Sequence, residues 1–414
     1  MTNPVPQGRP RKPPLALEEA QARLIALAPR VAIEHIASAE CLGHYLAGPL
    51  LAERTQPATA LSAMDGYALR QADMPGPWQV VGESAAGHPF TGTVGPGEAV
   101  RISTGAALPA GADMVLLQED TARHGDQVAF TGTPPDPLGR HIRPSGMDFA
   151  TSHPLLESGT RLGPAQIALA IAAGHSHLPV HRPLTVAVID SGDELAAPGH
   201  PLLPHQIPAS NGPMLAAMAS SLPVKVTRIG PVPDRLDALA SALDTAREAD
   251  IVVTSGGASV GDHDLVRPAL EAIGASLDFW RVGIKPGKPI LVGRRPREHQ
   301  SQVILGLPGN PASAFVTAHL FLLPLLRATL GAAHPLPRPL MVPLGEAMPA
   351  GGSRTEFLRG QWDGRKVMLD PLQDSGALSP IARANCLVRR EARAPMQPEA
   401  SEVPIYLLDC GGFA

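Results

Sequence analysis

Hydrophobic spacing changes character along the chain. Residues 15–28, LALEEAQARLIALA, repeat at the helical period, and Pro29 ends that pattern. A second helical pattern covers roughly residues 37–52. From about 55 to 147, short β-like runs (WQVVGE, EAVRIS, DMVLLQE, QVAFTG) alternate with glycine and proline. Residues 150–182 return to mixed character, with a helix near 164–174.

From residue 183 the rhythm becomes strand, loop, helix. LTVAVID, VKVTRIG, DIVVTS and QVILGL read as strands. Helical patterns separate them at 211–222, 234–249, LVRPALEAIG and 311–330, the first opening on Asn211 as a cap. This alternation predicts a parallel, doubly wound sheet. Beyond about 332, prolines and short β runs (RTEFLRGQW, KVMLDPL, VPIYLLD) predict a small barrel or sandwich.

The pattern is therefore that of an α/β multidomain protein. A doubly wound domain occupies 183–331 and a β-barrel-like domain 332–414. A β-rich domain over 55–147 is inserted into a mixed α/β linker domain made of 15–54 and 148–182.

Composition narrows the function. The chain has 414 residues, 44% hydrophobic and 17% charged, which is globular and not disordered. A formal net charge of -4 gives no basic field for nucleic acid, so any anion site is local. Cys41, Cys386 and Cys410 have no CxxC spacing, which argues against a zinc ribbon and fits a reducing cytoplasm. The N-terminus, MTNPVPQGRPRKPP, lacks the apolar core of a signal peptide and reads as a disordered tail. Residues 314–330 are the most apolar segment, yet they hold His319, Pro324 and Arg327, so a buried amphipathic helix is expected and not a membrane span.

Ligands of such a sheet bind at the carboxyl ends of its strands. The unusual loops fall there: DSGDEL at 190–195, SGGASVGDHD at 255–264, IKPGKP at 284–289 and GLPGNPASA at 306–314. Asp234 follows the end of VKVTRIG. Acids (Asp193, Glu194, Asp234, Asp262, Asp264) and two ammonium groups (Lys285, Lys288) are thus predicted on one rim. The chain has only five lysines, the rest of its 34 basic residues being arginines, so two within IKPGKP stand out. Each loop alone also reads as a turn: GDE as a solvated corner, Asp234 as a helix cap, LPGNP as a rigid connection capped by Asn310. Their joint placement favours a magnesium–phosphate arrangement, with carboxylates holding a cation that holds oxyanions. No Walker loop, GxGxxG fingerprint or Ser-His-Asp set is present. The β-rich part adds SAMDGYAL (62–69) and RISTGAALPAGADMVLLQED (101–120), and RPSGMDF (143–149) lies at its edge.

Taken together, these stretches resemble the molybdopterin molybdenumtransferases, the family of MoeA and the gephyrin E domain. The resemblance runs from about residue 15 to the end and is loose over the C-terminal part. It implies an elongated homodimer whose doubly wound domain binds molybdopterin. It implies Mg2+-dependent insertion of molybdate into adenylated molybdopterin with release of AMP, and a molybdopterin adenylyltransferase as upstream partner. Carried over position by position, the catalytic residues fall on Asp65, Thr104, Glu194, Asp234, Asp264, Lys285 and Lys288. Of these, Glu194, Asp234 and Asp264 are expected at the metal, and the lysines at the oxyanions. Substrate-binding positions fall on Asp148, Ser255, Gly256, Gly257, Ser259, Pro308 and Pro311. Asp65 and Thr104 would act on the other subunit's rim. Three departures stand out. Met147 replaces an acid, QPATAL (56–61) replaces a PPFDN-like segment, and Ala258 replaces a valine. Two other readings differ in class: a structural scaffold on the same fold, and a CinA-like pyrophosphatase. The intact rim acids and lysines argue against the first, SAMDGY and RISTGA against the second.

Overall fold

The computed structural model describes residues 14–137, 139–256, 265–287, 289–298 and 301–408, with backbone only at 278–280. Its centre is a six-stranded sheet in the order Val224–Val232, Leu184–Ser191, Ile251–Ser255, Ser301–Leu307, Pro289–Pro296, Ser276–Arg281. The first four strands are parallel, as the alternating pattern requires. The last two are antiparallel, which corrects the all-parallel expectation. The stretch between Pro296 and Ser301 is too short for a helical crossover and suffices only for a hairpin.

Strand parity divides the side chains between two layers. Val186, Val188 and Val253 face a core shared with Leu215, Phe315 and Leu320. Ala187, Ile189 and Val252 face the other way, onto Leu239, Leu243 and Leu270. Helices Asn211–Ala219 and Pro311–Thr329 therefore cover one face, and Leu236–Thr245 and Val266–Ala272 the other. Pro311–Thr329 is long and apolar enough to cross a membrane, but 89% of its window is buried inside the fold. It is a core helix buried on nearly all sides, as the sequence led one to expect of a non-membrane helix, but with most of its few polar groups buried too and not gathered on a solvent face.

Two further six-stranded sheets lie on either side in sequence. One runs Met114–Leu117, Gly66–Leu69, Glu98–Ile102, Trp78–Ser84, Gln127–Phe130, Thr121–His124. The other is built on Thr355–Trp362, with Cys386–Arg390, Glu402–Leu407 and Leu340–Pro343 beyond it. Strand Ile33–Ala37 pairs with His177–His181, so chain segments on both sides of the first of these sheets close together. Helix Leu17–Ile25 packs into the central core, and Gln21 donates to the Leu320 carbonyl at 2.9 Å. The helix expected at 37–52 is absent. That segment holds a single turn, Ser38–Glu40, and a short strand, Leu50–Leu51. Gly43 at φ +80 breaks the helical path there.

Glycine is also obligatory at position 66. A Cβ there would stand 1.8 Å from the Leu116 carbonyl oxygen on the neighbouring strand. Gly66→Ala is expected to force the strands apart and cost about 2 kcal/mol, read as a lower thermal midpoint. An unchanged midpoint would contradict this packing.

Candidate functional site

The carboxyl ends of the parallel strands open into a cavity of about 760 Å³. Leu184–Ser191 and Ile251–Ser255 end there side by side, with Asp190 opposite Ser255. The loop after the first strand carries Asp193 and Glu194, and the turn after Val232 carries Asp234. The Asp193 carboxylate accepts the Asp234 backbone N–H at 3.0 Å, which draws the two loops together. Burial, then the charges of Asp193 and Glu194, push the Asp234 carboxyl above its usual range. A carboxyl raised by neighbouring acids in this way gains from a bound cation. Among the described residues, no group of three or more His, Cys, Asp or Glu converges closely enough to hold a metal unaided. Asp264, the third expected ligand, lies outside the described residues, as do Gly257, Ser259 and Lys288.

Glu194, Asp234, Ser255, Gly256, Pro308 and Pro311 all line this cavity. Asn310 occupies the cap position of the helix at Pro311 but makes no side-chain cap bond; its amide donates to Ser375 Oγ at 3.1 Å. Asn211 is not a cap either. It is the first helical residue, and its amide donates to Ser255 Oγ at 2.9 Å and to the Gly309 carbonyl at 2.6 Å. Asp234 precedes its helix by two positions, with Arg235 at the cap, so its carboxyl is left for the cavity.

The IKPGKP segment corrects the picture of one rim. Ile284–Lys285 forms a parallel pair with Thr355–Trp362 in the C-terminal sheet. Lys285 therefore faces a second cavity of about 1110 Å³, with Arg354, Glu356, Arg359 and Arg390. Its ammonium is 3.0 Å from Glu356, whose other oxygen meets Arg390. Burial would raise the Glu356 carboxyl, but hydrogen bonds from Lys285 and Arg390 outweigh it and hold it below its usual range. The two cavities adjoin, since Gly287 and Ser313 line both. Gly287, at φ +101, lets the loop cross closely over the helix, where a Cβ would lie 2.3 Å from Thr317.

Asp65 and Thr104 line neither cavity in this chain. They form a bonded pair at an exposed turn of the first β sheet. Asp65 accepts the Thr104 backbone N–H at 2.6 Å and its hydroxyl at 3.0 Å, which holds the carboxyl below its usual range. Asp148 is exposed and lines neither cavity; its backbone N–H donates to the Gln56 carbonyl at 3.0 Å. The sequence reading missed Asp190 and Asn211 as cavity residues. Strand parity gives no warning of Asp190, because it sits inside a run of buried positions.

Comparison with known proteins agrees with this architecture. Residues 15–174 match the MoeA N-terminal region, 187–328 a probable molybdopterin binding domain, and 341–408 the MoeA C-terminal region. The molybdopterin molybdenumtransferase of Synechococcus elongatus is 35% identical over 370 residues, covering 86% of this chain and 89% of that protein. That of a Nostoc species is 38% identical over 299 residues, covering 70% and 68%. A crystal structure of the molybdopterin biosynthesis MoeA protein from Pyrococcus horikoshii superposes with a TM-score of 0.77 at 28% identity, covering 95% of this chain and 99% of that one. With 35% identity over 89% of the Synechococcus protein and family models matching from residue 15 to 408, the chain belongs to the MoeA family of molybdopterin molybdenumtransferases.

Proposed function

We propose that this protein inserts molybdenum into molybdopterin, taking molybdate and adenylated molybdopterin as substrates and releasing AMP in a Mg2+-dependent reaction. The observation that carries this reading is the pair of adjoining cavities, one rimmed by Glu194 and Asp234 and one where Lys285, Arg354, Arg359 and Arg390 stand among as many carboxylates, meeting at Gly287 and Ser313. Two oxyanionic reactants can be held side by side there, which removes much of the entropic barrier to their reaction. Glu194 and Asp234, with Asp264, would hold Mg2+. Mg2+ would neutralise the substrate's diphosphate and polarise the bond to be cut. Lys285, with Lys288, would meet oxyanion oxygens, and Arg354 lines the same wall. Ser255, Gly256, Pro308 and Pro311 shape the wall on which the nucleotide part lies.

A homodimer fits this reading. Asp65 and Thr104 stand apart from both cavities in one chain, so their chemistry is supplied to a second copy. Asp65→Ala and Asp234→Ala proteins, each inactive alone, are then expected to regain about a quarter of wild-type activity when mixed and allowed to exchange subunits. No recovery would contradict action across the dimer. The upstream partner is an enzyme that adenylates molybdopterin, and the buried free thiols Cys41 and Cys386 suit a reducing cytoplasm.

The rival pyrophosphatase reading is separated by product analysis. Hydrolysis of ordinary nucleotide diphosphates without any need for molybdate would favour it. Their survival, alongside turnover of adenylated molybdopterin, favours insertion.

A further inference from the structure

The floor of the acid-rimmed cavity contains acceptors that nothing among the described residues satisfies. Asp190 is 7% exposed, and its Oδ1 has no hydrogen-bond partner. Its Oδ2 lies against Gly212, where a Cβ would stand only 2.0 Å away. The glycine thus seats the carboxyl beneath the first turn of helix Asn211–Ala219. Asn211 lines the same cavity, and its amide nitrogen is committed to Ser255 and Gly309. Two acceptors on that nitrogen fix the amide's orientation, so Oδ1 is the free end, and it too is buried without a partner.

Buried acceptors left without donors are rare and costly, and they mark a place where something else brings the hydrogen. Phosphate and molybdate cannot do so, since at neutral pH they present mainly acceptor oxygens. The missing group must carry N–H or O–H donors, which the substrate of the proposed reaction offers on its nitrogen heterocycles and on its ribose hydroxyls.

We propose that Asp190 and Asn211 form a subsite that accepts hydrogen bonds from the N–H-bearing edge of the substrate's heterocycle. The oxyanions are then turned toward the acids at the mouth, and the ring toward the floor. Burial pushes the Asp190 carboxyl up, opposed by the Gly212 backbone and by Arg228. A carboxyl in either protonation state keeps an oxygen able to accept, so the subsite does not depend on a full buried charge. The chemistry is shared by two rings, the aminopyrimidinone of the pterin and the aminopurine of adenine. The inference rests on the cavity being the substrate site.

The test is calorimetric titration of the full-length protein, with Mg2+, using GMP, IMP and AMP. GMP carries the same amino-oxo edge as a pterin, IMP lacks the amino group, and AMP carries the adenine amine. GMP binding about tenfold tighter than IMP assigns the floor to the pterin edge; AMP binding about tenfold tighter than IMP assigns it to adenine. In either case Asp190→Ala is expected to reduce the preference to near one. If that variant does not fold, the wild-type ranking decides alone. Equal binding of all three nucleotides overturns this inference and leaves the cavity's role standing. No binding of any nucleotide overturns both.

Discussion

Replacing Asp234 by asparagine is expected to slow molybdate-dependent AMP release by about a hundredfold or more, a barrier change of about 2.7 kcal/mol. The residue is largely exposed and its carboxyl only partly covered by the cavity wall, so the loss is not a folding defect. Burial, then its neighbours Asp193 and Glu194, raise it, and a bound cation would relieve that repulsion. Asparagine keeps the shape and removes the charge. The variant is expected to need more Mg2+ for half-maximal rate while keeping the wild-type thermal midpoint. A variant with wild-type rate at wild-type Mg2+ demand would overturn the proposed role of Asp234 in holding Mg2+.

The second large effect lies at the opposite end of the sheet. Asp250 precedes strand Ile251–Ser255, and its side chain is 1% exposed. Both of its oxygens meet Arg182 at 2.8 Å, and it also accepts the Thr185 backbone N–H at 2.9 Å. Burial alone would raise its carboxyl; the bonds from Arg182 and Thr185 outweigh burial and hold it below its usual range. Asp250→Ala is expected to cost about 3 kcal/mol, because it leaves Arg182 and the Thr185 N–H without this partner. The pH dependence has a definite sign. A carboxyl depressed in the folded state contributes stability above its unfolded value, about 3.9, and loses it as pH falls through the folded value. The wild-type advantage over the variant is therefore full near neutrality and shrinks in acid. Denaturant midpoints for both proteins, measured across that range, check this. A constant gap would mean that the pair titrates identically in folded and unfolded chains.

Much of this was legible in the sequence because period and parity are local. LTVAVID and DIVVTS announce buried strands, and the loops after them announce a rim. The two-layered centre follows from the alternating helices. What the sequence hides is register and partner choice. IKPGKP follows an apolar run and so reads as another rim loop, yet its first residues pair with Thr355–Trp362, far along the chain. Pairing over that separation leaves no local trace. Asp190 escapes for a different reason. Its neighbours in LTVAVID are apolar on both faces, and only the placement of Gly212 above it shows that the carboxyl has a seat. Asn211 was read as a cap because asparagine before a helix usually is one. Here the amide reaches across to Ser255 and Gly309 and ties two strand-end loops together.

The most direct measurement is AMP release from adenylated molybdopterin with Mg2+, in the presence and absence of molybdate. Release that requires molybdate and yields active cofactor is the expected result, with the two adjoining cavities acting together. No release from the folded protein, or release at the same rate without molybdate, would contradict insertion as the function of this site.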